Sequence, residues 1–196
     1  SLSAQEITSS PYSFFGIGLQ KFKGTAENRA MGGLSIASDS IHMNLQNPAG
    51  YGALGLTTYT VGLSHTENTI SSSNAEDDLS STNIDYLAIG IPAGKLGFGL
   101  GIKPFTSVGY ELESEDESKV SKFTGRGGLN TLFLATGYKI NDNWRVGVEG
   151  SYNFGNIQNK NLSYQKGLQF GTREINRSDF SGFSVKFGVQ FEKEIK

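Results

Sequence analysis

Apolar and polar residues alternate along this chain with the period of a β-strand. In Leu96 to Lys103 the residues Leu96, Phe98, Leu100 and Ile102 fall on one face, and Gly97, Gly99, Gly101 and Lys103 on the other. Trp144 to Phe154 repeats the arrangement, with Trp144, Val146, Val148, Tyr152 and Phe154 against Arg145, Gly147, Glu149, Ser151 and Asn153. Phe183 to Phe191 sets Phe183, Val185, Phe187, Val189 and Phe191 against Ser184, Lys186, Gly188 and Gln190. Successive side chains of a strand point to opposite faces, so each segment has one greasy face and one polar or side-chain-free face. The pattern predicts six strands, at about 55–66, 83–92, 95–112, 123–140, 143–156 and 180–194.

The connections give the pattern a direction. Pro92-Ala93-Gly94 and Asn141-Asp142-Asn143 are tight turns, whereas 67–82, 113–122 and 157–179 read as long polar connections. Short and long connections therefore alternate, as they do in outer-membrane barrels with short periplasmic turns and long extracellular loops. The expected lipid face carries Tyr59, Val61 and Leu63, then Leu87, Ile89 and Ile91, then Leu132, Leu134, Tyr138 and Ile140. The expected inner face carries Thr58, Thr60, Ser64, Lys103, Arg145, Glu149 and Lys186. A charge at mid-membrane on the lipid face costs about 2–4 kcal/mol, and these greasy faces hold none. The fold class expected is all-β, an antiparallel up-and-down transmembrane barrel, partial at six strands.

Residues 1–54 differ. They hold small residues, turn formers and short apolar patches, which predict a compact, irregular segment with short helical turns ahead of the strands at 55–196. Ser1 to Gln5 resembles the tail of a secretory signal peptide cleaved after Ala4, which implies export through the periplasm to the outer membrane. Composition narrows the remaining choices. Hydrophobic residues make up 36% of the chain, charged residues 18%, and there are 26 glycines, a mix suited to strands and sharp turns. A net charge of −2 gives no electrostatic case for nucleic acid. The absence of cysteine excludes disulfides and thiolate metal sites, and two histidines leave little material for a metal centre or a triad. No cofactor and no enzymatic activity are expected.

Ala30-Met31-Gly32-Gly33-Leu34-Ser35-Ile36-Ala37-Ser38-Asp39, followed by Asn47-Pro48-Ala49-Gly50, is the most specific stretch. In order, it resembles the N-terminal region of the long-chain fatty-acid transporter (FadL-type) family of outer-membrane proteins. There an A-x-G-G-x-x-x-A-x-D stretch precedes N-P-A-G ahead of the first barrel strand. Ser10 to Gly18 is similar to the mature N-terminus of Bacteroidetes members of that family. The resemblance implies a hatch within a monomeric barrel and passive uptake of hydrophobic compounds such as long-chain fatty acids. It implies Gly32, Gly33, Asn47, Pro48, Ala49 and Gly50 as hatch-forming residues, and Phe14, Phe15, Ile17 and Leu19 as candidate contacts for a hydrophobic small molecule. Six strands fall short of the family's fourteen and leave two open edges. Completion by further strands of a longer barrel, or by another chain, is therefore expected.

Other motifs yield no chemistry. Glu76-Asp77-Asp78 and Glu111 to Glu117 lack the ordered spacing of a calcium loop and read as solvated charge. Gly125-Arg126-Gly127-Gly128 lacks the Lys-Ser/Thr of a phosphate loop. Asp39, His42 and Asn47 form a triad on paper, but without a paired nucleophile. Two further readings stand beside transport. One is a non-transporting barrel subunit of a larger outer-membrane complex, such as a protein secretion (type IX) or export machinery. The other is a secreted soluble β-sandwich.

Overall fold

The computed structural model describes residues 13, 16–22, 24–34, 38–72, 75–116, 118–165 and 171–193, with backbone alone over 66–72 and 75–81. The elements are β1 (Leu19–Gln20), α1 (Ala26–Ala30), a 3-10 helix (Pro48–Ala53), β2 (Thr58–Ser72), β3 (Ala75–Ala93), β4 (Leu96–Glu115), β5 (Lys119–Lys139), β6 (Trp144–Gln165) and β7 (Gly171–Phe191). β2 to β7 form one antiparallel meander in chain order, and β1 pairs separately with β4. The fold is all-β, as the alternation predicts. Among the described residues no ladder joins β2 to β7, so these strands are the edges of the sheet.

The six long strands correspond to the six segments read from the sequence, but they overshoot them. β4 to β7 run for 20, 21, 22 and 21 residues, about twice the 9–11 that cross a bilayer. The expected long loops are the far ends of hairpins. Ser72 pairs with Ala75, Glu115 with Val120 and Tyr164 with Gly171. The asymmetry between the two ends therefore lies in strand length beyond the greasy band, not in loop length.

The exposed face is the apolar one. Tyr59 is 80% exposed, Phe183 87% and Phe187 80%. They share that face with Leu87, Ile89, Phe98, Leu100, Leu134 and Val185. A patch of this extent marks a surface made for lipid or protein, not water. Register rows show its height. Trp144 pairs with Phe191 near the short turns, and Tyr152 pairs with Phe183 eight residues further along β6. Both pairs have their rings in contact, at 4.7 and 4.9 Å between centroids. Eight residues span about 27 Å of strand, or about 20 Å along the normal at a tilt near 40°. That approaches the band of about 25 Å that such sheets present to a membrane.

The covered face is lined by small residues where the N-terminal segment meets it. Gly97 pairs with Gly137, Gly137 with Gly147, and Gly147 with Gly188, so four strands place a glycine in one row. The 3-10 helix lies on that row. A Cβ on Gly97 would lie 1.8 Å from the Tyr51 carbonyl oxygen, and one on Gly147 would lie 2.4 Å from the Pro48 carbonyl carbon. The row thus lets two backbones touch. Around it Met43, Leu45, Tyr51, Leu54, Tyr86, Ala88, Phe133 and Ala135 form the main buried core. A second cluster, Val108, Tyr110 and Ile157, lies further along the same face.

Two substitutions separate space on the covered face from glycine content as such. Gly147→Leu should drive a side chain into the Pro48 backbone and cost upward of the roughly 1–3 kcal/mol of an overpacked core. Gly150→Ala, whose Cβ meets nothing within 4 Å, should leave the protein folded. The heat-modifiable band on a gel reads both. Equal tolerance of the two would contradict the packing described.

Candidate functional site

The site of interest is the place where the sheet changes partners. β3 and β4 pair only from Leu87↔Ile102 to Ala93↔Leu96. Beyond that point each strand carries an irregularity. In β3 the pairing with β2 skips Asp85, between Gly62↔Tyr86 and Leu63↔Ile84. In β4 the pairing with β5 skips Phe105, between Pro104↔Asn130 and Thr106↔Leu129. A bulge bends its strand and raises the local twist, and two facing bulges let the strands part. A cavity of about 240 Å³ lies there, lined by Ile84, Tyr86, Ile102, Lys103, Pro104 and Asn130.

The N-terminal segment contacts both banks of the parting. Leu19 and Gln20 pair with Ser107 and Thr106, taking the edge of β4 that β3 has left. The Lys21 amide donates to the Phe105 carbonyl at 3.0 Å, and the Gly109 amide donates to Ser13 Oγ at 3.2 Å. On the β3 side the Ala26 amide donates to the Tyr86 hydroxyl at 2.9 Å. Arg29 pairs with Asp85 at 2.9 Å, and Ser64 donates to the same carboxylate at 2.7 Å. The β3 bulge is what turns both Asp85 and Tyr86 toward the covered face, where both are buried. Phe22 meets the Tyr86 ring edge-on at 5.9 Å.

Local rules build the inserted piece. Thr25 caps α1 and forms a capping box with Asn28. Gly32 and Gly33 end the helix: both have positive φ, 73° and 86°, with Gly32 N–H bonded to the Arg29 carbonyl and Gly33 N–H to the Asn28 carbonyl. This is a Schellman ending, which favours glycine because the left-handed region penalises a Cβ. Asn47 caps the 3-10 helix by accepting from the Ala49 amide at 3.1 Å, and its Nδ2 donates to the Val189 carbonyl of β7 at 3.2 Å. Pro48, Ala49 and Gly50 are buried within it.

A buried ion cluster ties segment to wall. Glu149, 2% exposed, accepts at one oxygen from Lys103 at 3.4 Å, Lys186 at 3.1 Å and Ser151 at 3.1 Å. Lys103 also donates to the Leu45 carbonyl at 3.1 Å and sits over the rings of Phe133 and Phe22, at 4.7 and 5.2 Å. Lys103 of β4 therefore reaches β5, β6 and the inserted segment. Nothing in the sequence joined Lys103 to Leu45, 58 residues apart; the polar face of Leu96 to Lys103 was the only available signal.

The structure brings some predicted residues together and separates others. Phe14 and Phe15 lie outside the described residues, as does Ser1 to Gln5. Ile17 sits in a turn and Leu19 in β1, and both side chains are exposed. Asp39 and His42 do meet: one carboxylate oxygen accepts from the Ile41 and His42 amides and the other contacts His42 Nδ1. Asn47 is bonded elsewhere, so no triad forms. Glu111 pairs with Lys122, and no cluster of three or more metal-ligating side chains occurs among the described residues.

A family model described as BamG matches residues 1–196. The chain belongs to the BamG family. No curated protein and no solved structure matches it. BamG membership overturns the resemblance to the fatty-acid transporter family. The Gly-Gly and Asn-Pro-Ala-Gly stretches that carried that resemblance have local reasons to exist, a Schellman ending and a capped 3-10 helix on a glycine row. The BamG name associates the chain with the barrel-assembly machinery of the outer membrane, and so with a larger outer-membrane complex.

Two outcomes test the site. Glu149→Ala would strand Lys103 without its counter-charge and should cost about 3–5 kcal/mol; Lys103→Met in the same chain should restore part of it, read from urea unfolding. The hydrogen bond to Asp39, and then its negative charge, raise the His42 pKa above the ordinary imidazole value. The small contribution of this surface pair is therefore full below about pH 6.5 and fades as pH rises through the raised value. An NMR titration of His42 should move down in Asp39→Asn; an unchanged midpoint would contradict the pairing.

Proposed function

We propose that this protein is a non-transporting β-sheet subunit of an outer-membrane assembly, working with the machinery that folds outer-membrane barrels. The observation that carries the reading is BamG family membership across residues 1–196. The apolar exposed face supports residence in the bilayer. The pairing of β1 with β4 where β3 leaves it supports a structural role for the N-terminal segment. Its role is binding and scaffolding, with no catalysis and no cofactor.

In this reading strands cross the membrane at the short-turn end, and their polar far ends stand outside the cell. On the covered face Lys103 and the Val189 carbonyl bond to the N-terminal segment. The two sheet edges, β2 and β7, are the places for completion, because open strand edges are not tolerated in lipid. β7 exposes nearly its whole length, which suits further strands of a longer barrel or of a partner.

Purification of the affinity-tagged protein from native outer membranes tests the proposal. The expected result is stoichiometric recovery with the central barrel of the assembly machinery, and unchanged fatty-acid uptake in a depleted strain. Recovery alone, together with lost uptake, would contradict it.

A further inference from the structure

Above the apolar band the same exposed face changes character. Register carries it upward from Leu132 and Tyr152 to Arg126 on β5, Lys160 on β6 and Arg173 on β7. These three, with Lys122, Glu111 and Thr124, surround a depression of about 410 Å³. Glu111 is engaged by Lys122. Arg126, Lys160 and Arg173 have no ion pair among the described residues, so the lining of the depression carries three more positive than negative charges, with Glu113 standing opposite Lys122 beside it. Arg177 on the neighbouring row is neutralised by Asp179 at 3.0 Å. Their parity places all of these side chains on the lipid-facing side of the sheet.

Height decides what could reach them. Arg126 lies six residues above Leu132 and Lys122 ten. That is about 15 to 25 Å above the top of the apolar band at the usual strand tilt. The headgroup zone of a phospholipid leaflet is only about 5–8 Å thick. A phospholipid phosphate therefore falls short, whereas the sugar core of an outer-leaflet glycolipid stands at that level. Guanidinium groups bind phosphate bidentately, and lysine adds a point charge.

We propose that Arg126, Lys160 and Arg173 form an outer-wall site for the anionic, phosphate-bearing sugar core of an outer-leaflet glycolipid. This rests on the membrane reading above: the site would hold the lipid that surrounds the wall, against the extended hairpins. Its neighbours are compatible with a sugar, since Thr124 and Gln158 offer hydrogen-bonding groups beside the charges.

Native mass spectrometry of the detergent-purified protein tests it, with three probes: lipopolysaccharide carrying a phosphorylated core, lipid A without core sugars, and inorganic phosphate. The core-bearing glycolipid should be retained, and lipid A should bind about tenfold or more weakly. Arg126→Gln/Lys160→Gln/Arg173→Gln should abolish that preference. The heat-modifiable band shows that this variant still folds, and its recovery with the assembly machinery should not change. Equal binding of lipid A, displacement by millimolar phosphate, or an unaltered variant would each overturn the site. So would loss of the protein partner in place of the glycolipid, which would make the patch a protein contact. A wild-type chain that fails to enter membranes would overturn the membrane reading instead.

Discussion

A strand whose neighbour leaves it must find another partner for its backbone. β4 meets this constraint just above Ile102, where the ladder to β3 stops. Buried backbone N–H and C=O groups are almost always paired, and in lipid the penalty for an unpaired group is larger still. The rest of the arrangement answers that requirement. β1 supplies the missing ladder, the Lys21 amide and Ser13 hydroxyl extend it, and Tyr86 and Asp85 hold the other bank through Ala26 and Arg29.

Two devices hold the inserted segment in place. At Gly97, Gly137 and Gly147 the 3-10 helix Pro48–Ala53 lies backbone to backbone on three strands, and at Gly188 the row makes room for the Asn47 side chain and the Pro48 ring. The Glu149 cluster adds direction, because Lys103 bonds at once to β6 and to the Leu45 carbonyl. Buried ion pairs are weak sources of stability but strong penalties when broken. The cluster therefore specifies where the segment sits more than it raises total stability.

Much of the sheet is legible in the sequence, since its strands carry one apolar face and the period of two is hard to mistake. The far halves of the hairpins are not legible by that route. There the alternation of apolar and polar residues weakens, as in Lys119 to Gly128, and the ladders themselves carry the strands on. The bulges differ in visibility. At Asp85 the exposed apolar positions shift from Ile84 to Leu87, an even-to-odd change that could have been read. At Phe105 the even apolar positions simply continue, from Ile102 to Val108 and Tyr110, while the side chains switch from the exposed to the buried face. The N-terminal motifs were visible as unusual, but their tertiary partners are not encoded locally, and they carried a misleading family resemblance.

The central claim is that the N-terminal segment, not β3, is the partner of β4 above the parting. A chain with no cysteine makes a direct measurement available. Thr106→Cys can be combined with Gln20→Cys, its cross-strand partner in β1, or with Asn83→Cys, where β3 would stand if its ladder with β4 simply continued. Oxidation in intact outer membranes should link residue 20 to residue 106 and leave the 83–106 pair reduced. Crosslinking of 83 to 106, with 20 and 106 unlinked, would mean that the wall zips shut without its insert and would contradict the account.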